Sequence, residues 1–329
     1  MLTARALNRA LLARQGLLER RALSIPDALD AMGGLQAQYA PSMYIGLWSR
    51  VRELRRDAVT EALQDRAVVQ GTLMRNTIHL VSRADYWPLA IAIREPRRAA
   101  WLRATKRAEL SAVAERLRHA DWPLKRTQLE ARVGKEDARG IGLWIDLVRV
   151  PPSGTWERRR ADLYAPAEDW LGPPQVEPDD ALDHLVRRYL TGFGPATRAE
   201  IANWAGLAAK DIEPALGRLG LVAYGELLDL PGAPLPDPET PAPVRFLPTW
   251  DATLLAHARR TLILPEEFRP RVFSARMPQS VGTFLVDGQV AGAWRHANAT
   301  IEIEPFTELT KAQRREVHEE AARLAEFAA

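Results

Sequence analysis

The fold is decided by the stretch Val68-Val69-Gln70-Gly71-Thr72-Leu73-Met74-Arg75-Asn76-Thr77-Ile78-His79-Leu80-Val81. Its β-branched and apolar residues predict two strands, over residues 68–74 and 77–81, joined at Arg75-Asn76. Asn76 tolerates the positive φ that a tight hairpin requires. Two helices, over residues 41–51 and 57–66, are predicted immediately before the hairpin. Two helices followed by a hairpin are the layout of a winged helix-turn-helix.

This layout recurs further along the chain. A capping box at Thr127-Gln128-Leu129-Glu130 opens a short helix, and a second helix is predicted over residues 136–150. A hairpin is expected over residues 155–166, and its turn carries three consecutive arginines, Arg158, Arg159 and Arg160. A wing that presents arginine can lie along a phosphate backbone or enter a minor groove.

A third copy follows the linker-like segment at residues 172–178. Helices are predicted over residues 180–191, 198–205 and 209–219, and a strand begins at Leu221. After a Pro-rich loop, a helical turn is expected over residues 251–257 and a hairpin at Asp287-Gly288. A closing amphipathic helix covers residues 310–327. We expect the C-terminal part to close the third unit.

These patterns predict a mainly α protein with β-hairpin wings, of the α+β class. It would consist of three tandem winged helix-turn-helix units with a C-terminal β-rich elaboration. The expected domains are residues 1–120, which include the basic helical region, residues 121–175, and residues 176–329 with the β-rich extension. A length of 329 residues fits two or three domains.

The composition excludes several kinds of site. With no cysteine in the chain, disulfides, thiolate nucleophiles and cysteine-ligated zinc are ruled out. The six histidines, including His257, contain no His-x-x-x-His pair, so we expect no metal and no other cofactor. No apolar run approaches the roughly 18 residues of a membrane span, and the N-terminus lacks a signal-peptide core. We therefore expect a cytoplasmic protein that binds no membrane.

The net charge of +3 says little about partners, but arginine greatly outnumbers lysine and clusters locally. Arginine clusters favour nucleic acid, because the guanidinium fork fits phosphate, although a GC-rich genome produces the same bias. The helical region over residues 84–119, expected to break at Pro88 and Pro96, is either a solvated face or a phosphate contact. Its cations are Arg94, Arg97, Arg98, Arg103, Lys106 and Arg107.

Two amides lie between helix breakers in the stretch Gly33-Gly34-Leu35-Gln36-Ala37-Gln38-Tyr39-Ala40-Pro41-Ser42. On a helix, residues i and i+2 point about 200° apart, whereas in an extended segment they face the same side. The glycines end the preceding helix and Pro41 holds Ala40 extended, so Gln36 and Gln38 can converge on one water. With ten glutamines in the chain, about 0.3 such triplets are expected by chance, so the triplet alone is weak evidence.

Four blocks resemble the winged-helix DNA-binding family that includes the AlkZ-type bacterial DNA glycosylases, and the likeness spans nearly the whole chain. The blocks are residues 35–42, 71–81, 246–251 and 286–295. The resemblance implies that Gln36 and Gln38 are the catalytic pair and that no metal is needed. It also implies that three winged-helix units form a C-shaped channel for duplex DNA. The substrates of such enzymes are alkylated purines and interstrand crosslinks.

The chemistry of the two amides agrees with this resemblance. A carboxamide cannot take up a proton near neutral pH, but it can accept from and donate to a water directed at C1′ of a deoxyribose. Such a site suffices only when the leaving base is already activated. We therefore expect activity on cationic N7- or N3-alkylpurines and none on uracil. No lysine lies close in sequence to the pair, which favours a monofunctional enzyme.

Other residues are candidates for DNA contact, each with a structural alternative. Tyr39 could stack on a displaced nucleotide or pack in the core. Arg75, Thr77 and His79 could contact phosphate, while a supporting role inside the hairpin suits each of them as well. We expect a monomer that binds duplex DNA with little sequence preference. The rival interpretation is a non-enzymatic winged-helix regulator that reads sequence, although no leucine-zipper heptads are present for a dimer interface.

Overall fold

The computed structural model of the protein describes residues 2–256, 260–273, 280–297 and 300–329. Helices account for 50% of the residues and strands for 17%, and the sheets are antiparallel, so the expected α+β class is confirmed. The α-helices are α1 (Ala4–Arg14), α2 (Ile25–Met32), α3 (Ala40–Trp48), α4 (Arg56–Gln64), α5 (Arg83–Thr105), α6 (Ser111–Arg118), α7 (Arg126–Val133), α8 (Asp137–Gly140), α9 (Ala167–Leu171), α10 (Pro178–Phe193), α11 (Arg198–Ala205), α12 (Ala209–Arg218), α13 (Ala252–Leu255), α14 (Arg269–Val272) and α15 (Lys311–Ala328).

The strands form three sheets. They are β1 (Leu35–Gln36), β2 (Val68–Thr72), β3 (Ile78–Ser82), β4 (Leu124–Lys125), β5 (Leu147–Arg149), β6 (Leu163–Pro166), β7 (Val222–Tyr224), β8 (Leu227–Asp229), β9 (Arg245–Leu247), β10 (Gly282–Val286), β11 (Gln289–Ala297) and β12 (Thr300–Pro305). The first sheet has the order β1-β3-β2-β5-β6-β4, the second is the hairpin β7-β8, and the third has the order β12-β11-β10-β9.

The hairpin that decides the fold forms as predicted. Strands β2 and β3 pair from Val68 with Ser82 to Thr72 with Ile78. The turn contains a 3₁₀ segment, Met74–Asn76, in which Arg75 has a φ of 51° and Asn76 a φ of 59°. Both are in the left-handed region, which asparagine adopts more readily than most residues. The hairpin therefore turns where the sequence indicated.

The prediction of a helix over residues 136–150 is wrong. The chain forms α8, a 3₁₀ turn over Ile141–Leu143, and then strand β5, which pairs with β2 at Gln70 and Gly71. Val148 and Val150 suit a strand, but the partner that stabilises it lies about 80 residues away in the chain, beyond the reach of any local pattern. The hairpin strand expected at residue 155 is also wrong, because residues 150–162 form the loop between β5 and β6.

The two prolines expected to break the region after residue 84 do not do so. Helix α5 continues through Pro88 and Pro96 to Thr105, capped at its start by the Ser82 hydroxyl. It packs along α10, so burial of its apolar face offsets the backbone hydrogen bonds that proline removes. The basic residues of α5 therefore lie on one continuous helix.

The third predicted unit has the expected elements. Helix α11 begins with a capping box between Thr197 and Glu200 and ends at Gly206, whose φ is 76°. Helix α12 follows after a short turn, and the hairpin β7-β8 comes next. The buried faces of α10, α11 and α12 join α5 in one core cluster.

The C-terminal sheet packs on the first helices of the chain and not on the third unit alone. Ile45 and Trp48 of α3 share a core with Phe246, Phe284 and helix α15. A buried ion pair between Arg50 and Asp251 at 2.8 Å adds to this contact. A second buried pair, Arg14 with Asp229 at 2.7 Å, instead joins α1 to strand β8 of the third unit. The helical turn expected over residues 251–257 is present as α13, while His257 lies outside the described residues.

No helix among the described residues is both long and apolar enough to cross a membrane.

Candidate active site

Two glycines place the amide segment at the edge of the six-stranded sheet. Gly33 and Gly34 both have a φ of 78°, and Gly33 ends α2. A Cβ on Gly34 would lie 2.9 Å from Cγ1 of Val81, so only glycine lets the chain approach β3 this closely. Strand β1 then pairs with β3, with Leu35 opposite Leu80 and Gln36 opposite His79. The segment is extended at Leu35 and Gln36, as predicted, but the chain bends at Gln38 and Tyr39 before α3 begins.

Gln36 is the buried member of the amide pair. Its side chain is 5% exposed, and its Oε1 accepts a hydrogen bond from the Arg75 guanidinium at 3.2 Å. Directly opposite residues of an antiparallel pair lie on the same face of the sheet, so the His79 ring is its neighbour. The carboxamide is thus fixed by groups of the first hairpin.

Gln38 is the exposed member, and it contacts the same hairpin. Its Oε1 accepts from the backbone N–H of Ile78 at 3.1 Å. A carbonyl oxygen has two lone pairs, so each glutamine retains one for a further donor such as water, together with its own NH₂ group. The structure therefore brings both carboxamides against the short segment 75–78.

Arg75 joins the amide pair to the third unit. Besides Gln36, its guanidinium donates to the backbone carbonyl of Trp204 at 2.9 Å. A Cβ on Gly206 would lie 3.0 Å from the backbone N of Arg75, so the turn of the third unit packs directly on this residue. Burial lowers the pKa of Arg75 to about 10, which leaves the guanidinium charged at neutral pH. A positive charge therefore lies beside Gln36.

His79 is neutral in this environment. Burial first, and then the nearby Arg75 charge, lower the pKa of the imidazole to about 3. Its Nδ1 lies 3.1 Å from the backbone carbonyl of Thr77, which assigns the ring proton to Nδ1. The Thr77 hydroxyl in turn donates to the carbonyl of Met74 at 3.0 Å. Both residues thus brace the hairpin that holds the amides, and His79 is too weak a base to take a proton from water.

Tyr39 faces a second environment on the other side of the amide segment. Its ring is 40% exposed, and its hydroxyl accepts from Arg159 at 2.9 Å. It lines a cavity of about 390 Å³ together with Trp156 and Trp294. The loop between β5 and β6 thus meets the end of the amide segment through Arg159.

The other predicted DNA contacts are dispersed. Arg97 donates to the Thr72 carbonyl at 3.1 Å, and Arg98 donates to Glu95 at 2.8 Å. Arg103 is exposed near the end of α5, and Arg158 is exposed in the loop between β5 and β6. Arg160 of that loop pairs with Asp162 at 3.1 Å. Of this group, Arg97 lies close to the first hairpin.

Sequence reasoning missed several arginines that meet near Arg75. Arg126, Arg139 and Arg149 line a cavity of about 510 Å³ that Arg75 and Arg94 also line. A signal was present for Arg149, because a lone charged residue lies inside the apolar run Leu147-Val148-Arg149-Val150. The other two are ordinary helix residues in the sequence, and only the fold brings them together.

Among the described residues, no three histidines, aspartates or glutamates come together in a way that could hold a metal ion.

Comparisons with known proteins agree with the resemblance in the sequence. The family described as "DNA glycosylase AlkZ-like" matches residues 29–327, and no curated protein matches the chain. Among solved structures, the chain is similar to the DNA glycosylase AlkZ of Streptomyces sahachiroi, with 21% identity and a TM-score of 0.81 over 98% of this chain and 96% of that one. At this identity the structural likeness shows the fold, whereas the family match covers nearly the whole sequence. The chain therefore belongs to the AlkZ-like DNA glycosylase family, and the enzyme class predicted from its sequence, a DNA glycosylase, is confirmed.

Proposed function

We propose that the protein is a monofunctional DNA glycosylase that releases cationic N7- or N3-alkylpurines from duplex DNA, with interstrand crosslinks formed by such alkylation as a second substrate class. The observation that carries this proposal is that both carboxamides contact the first hairpin, Gln36 through the Arg75 guanidinium and Gln38 through the backbone N–H of Ile78, so that one protein donor fixes each carbonyl oxygen. Fixed carboxamides can hold and orient a water without a proton acceptor of high pKa.

The reaction needs little activation of that water. The water oxygen forms a bond to C1′ while the bond between C1′ and the purine nitrogen breaks. The bonding electrons neutralise the positive charge of the alkylated base, which leaves as a neutral purine. The water proton passes to solvent, since neither a carboxamide nor a buried His79 with a pKa of about 3 can keep it. The carboxamide oxygens stabilise the positive character that develops on the sugar.

We also propose that residues 1–120, 121–175 and 176–329 are winged-helix units around a C-shaped channel for duplex DNA. The helix-turn-helix of α11 and α12 with its hairpin β7-β8 supports this arrangement in the third unit. In the first two units, hairpins β2-β3 and β5-β6 supply the wings and join in one sheet. We expect the protein to be a monomer. We also expect little sequence preference, because the proposed DNA contacts are to phosphate rather than to base edges.

The test is release of the damaged base. Purified protein is incubated with a duplex that contains one N7-methylguanine and is then treated with alkali, which cleaves the strand at an abasic site. We expect cleavage with the wild type and with Gln64→Ala, a matched control at an exposed glutamine of α4. We expect none with Gln36→Ala/Gln38→Ala.

A duplex that contains uracil tests the mechanism, since a neutral base is a poor leaving group at this site. Release of uracil that disappears in Gln36→Ala would show that the site activates water more strongly than two carboxamides can. Retention of DNA in a sequence-dependent manner without base release would favour a regulator.

A further inference from the structure

The cavity of about 510 Å³ beside the first hairpin concentrates positive charge; we name it the arginine pocket. It lies among α5, α7, the turn after α8, and strands β5 and β6. Its lining contains six arginines: Arg75, Arg94, Arg97, Arg126, Arg139 and Arg149. The carboxylate of the lining, Asp146, already accepts from Arg94 at 2.6 Å. Two further arginines of the lining pair with nearby carboxylates, Arg126 with Glu130 at 2.7 Å and Arg139 with Glu136 at 3.0 Å. Arg75, Arg97 and Arg149 have no carboxylate partner in the described structure, so the pocket carries an excess of three positive charges.

Three of these guanidiniums rest on neutral acceptors within the described structure. Arg97 donates to the Thr72 carbonyl at 3.1 Å, and Arg149 donates to the Thr72 hydroxyl at 3.0 Å. Arg75 donates to Gln36 and to the carbonyl of Trp204. The three cations thus approach the same end of strand β2. Such a concentration of charge is costly unless an anion enters.

The surroundings of Arg149 indicate that the pocket is a specific anion site. It is 8% exposed, and its Nε is buried without a hydrogen-bond partner in the described structure. Its guanidinium lies 5.2 Å from the centre of the Tyr164 ring, which fixes the plane of the fork. Burial lowers the pKa of Arg149, as it does for Arg97, because the charged form lacks water. An anion in the pocket would supply the missing counter-charge.

We propose that the arginine pocket binds one phosphodiester group of the DNA strand. The guanidinium fork matches two oxygens of a phosphate, and several forks around one cavity can hold a single phosphate from different sides. That the phosphate belongs to DNA rests on the proposed function. A free phosphate or a mononucleotide offers the same chemistry, and the experiment below separates these sources.

The pocket is distinct from the place of the damaged base. An alkylated purine of the proposed class is a cation, and the three unpaired guanidiniums of Arg75, Arg97 and Arg149 repel it. Arg75 connects the two places, since it lines the pocket and donates to Gln36. A phosphate held there fixes the strand relative to the carboxamides and offsets the positive charge that lies beside Gln36.

Gly142 offers a way to fill the pocket without removing an arginine. It lies in the lining, and a Cβ placed on it meets no atom within 4 Å. Gly142→Glu introduces a carboxylate that competes with phosphate, whereas Gly142→Gln introduces a neutral side chain of the same size. The two variants differ in charge and hardly in volume. Any difference between their DNA affinities therefore comes from the anion site.

The first readout is binding of an undamaged duplex as a function of salt concentration. We expect Gly142→Glu to weaken binding by about tenfold and to reduce the slope of log K against log salt by about 1, as for the loss of one phosphate contact. Gly142→Gln should bind within about twofold of the wild type. Arg149→Met should behave as Gly142→Glu does, and its melting temperature shows whether it folds. Equal affinities and slopes for the Glu and Gln variants would overturn the proposal.

The second readout uses inorganic phosphate and a mononucleotide at matched ionic strength. We expect phosphate to raise the melting temperature of the wild type and of Gly142→Gln, but not of Gly142→Glu. If the small anions show this pattern while binding of the duplex is the same in both Gly142 variants, the assignment to DNA is overturned. Binding of undamaged DNA requires no chemistry. If the protein releases no alkylpurine but the two Gly142 variants still differ in DNA binding, the pocket is supported and the proposed release of alkylpurines is refuted.

Discussion

Replacing Arg75 with methionine tests whether a positive charge is needed to hold the carboxamide of Gln36, the proposed catalytic group. Methionine fills similar space but cannot donate to Gln36 Oε1, which the guanidinium reaches at 3.2 Å. The carboxamide of Gln36 then loses the protein donor that fixes its carbonyl. We expect it to rotate away from the orientation that directs water at the sugar.

The expected loss of rate follows from the hydrogen bond that Arg75→Met removes. A hydrogen bond to a charged group contributes roughly 1.5–3 kcal/mol. Since about 1.4 kcal/mol corresponds to a tenfold change in rate, release of N7-methylguanine should slow by about 10- to 150-fold at saturating enzyme. Arg75→Lys keeps the charge but cannot reach both Gln36 and the Trp204 carbonyl with a fork. We expect it to be impaired as well.

The assay is single-turnover base release, measured with the wild type, Arg75→Met, Gln36→Ala and the double variant. If Arg75 acts through Gln36, its replacement should slow the Gln36→Ala enzyme by less than about threefold, because the partner is already gone. Equal rate losses in both backgrounds would refute the reasoning and assign Arg75 a role independent of the carboxamide. Melting temperatures control for the lost bond to Trp204.

Three further predictions concern stability and pH. Gly34→Ala should lower the free energy of unfolding by about 2–3 kcal/mol in thermal or urea melts, since φ is 78° and the new Cβ would lie 2.9 Å from Val81. The control is Gly217→Ala, at an exposed position of α12 where a Cβ would have no atom within 4 Å, and it should not be destabilising. The pKa of His79 is about 3 when folded and about 6.5 when unfolded. Between these two pKa values His79 is protonated in the unfolded state but not in the folded state. The free energy of unfolding therefore decreases as the pH falls below about 6.5. Wild type should lose about 2 kcal/mol more than His79→Asn between about pH 7 and pH 5 in parallel urea melts, and equal losses would contradict this. Asp229→Ala leaves the Arg14 charge buried and unpaired, so we expect the free energy of unfolding to fall by about 3–5 kcal/mol in the same melts. A decrease below about 1 kcal/mol would show that water hydrates the Arg14 charge in the variant.

Local patterns predicted the parts of the fold that local residues determine. The hairpin over residues 68–81 was predictable, because its strands are β-branched and Asn76 accepts a positive φ. The helix-turn-helix at Thr197 was predictable from its capping box and Gly206. Strand β5 was not, because it lies between β6 and β2, and its pairing with β2 joins residues about 80 positions apart in the chain. The same pairing unites the predicted units 1–120 and 121–175 in one sheet.

The candidate site was only partly visible in the sequence. The spacing of Gln36 and Gln38 indicated a shared target. Gln36 contacts Arg75 and Gln38 contacts Ile78, and the shared target stays a prediction. The arginine pocket was not predictable, because its lining comes from residues between 72 and 206, on three α-helices, three strands and the turns between them. Arg94, Arg97, Arg126 and Arg139 occur in sequence environments typical of solvated helices, whereas Arg75 lies in the hairpin turn and Arg149 in an apolar run.

The contact between α3 and α15 determines when the protein can finish folding during synthesis. Trp48 of α3 packs on Phe327 with ring centres 6.0 Å apart, and Glu320 of α15 accepts a hydrogen bond from Arg20. A growing polypeptide thus keeps this apolar face of α3 uncovered until the ribosome has released α15. A chain truncated before α15 would leave that face open to chaperones and proteases, although every residue of the amide segment had already been made.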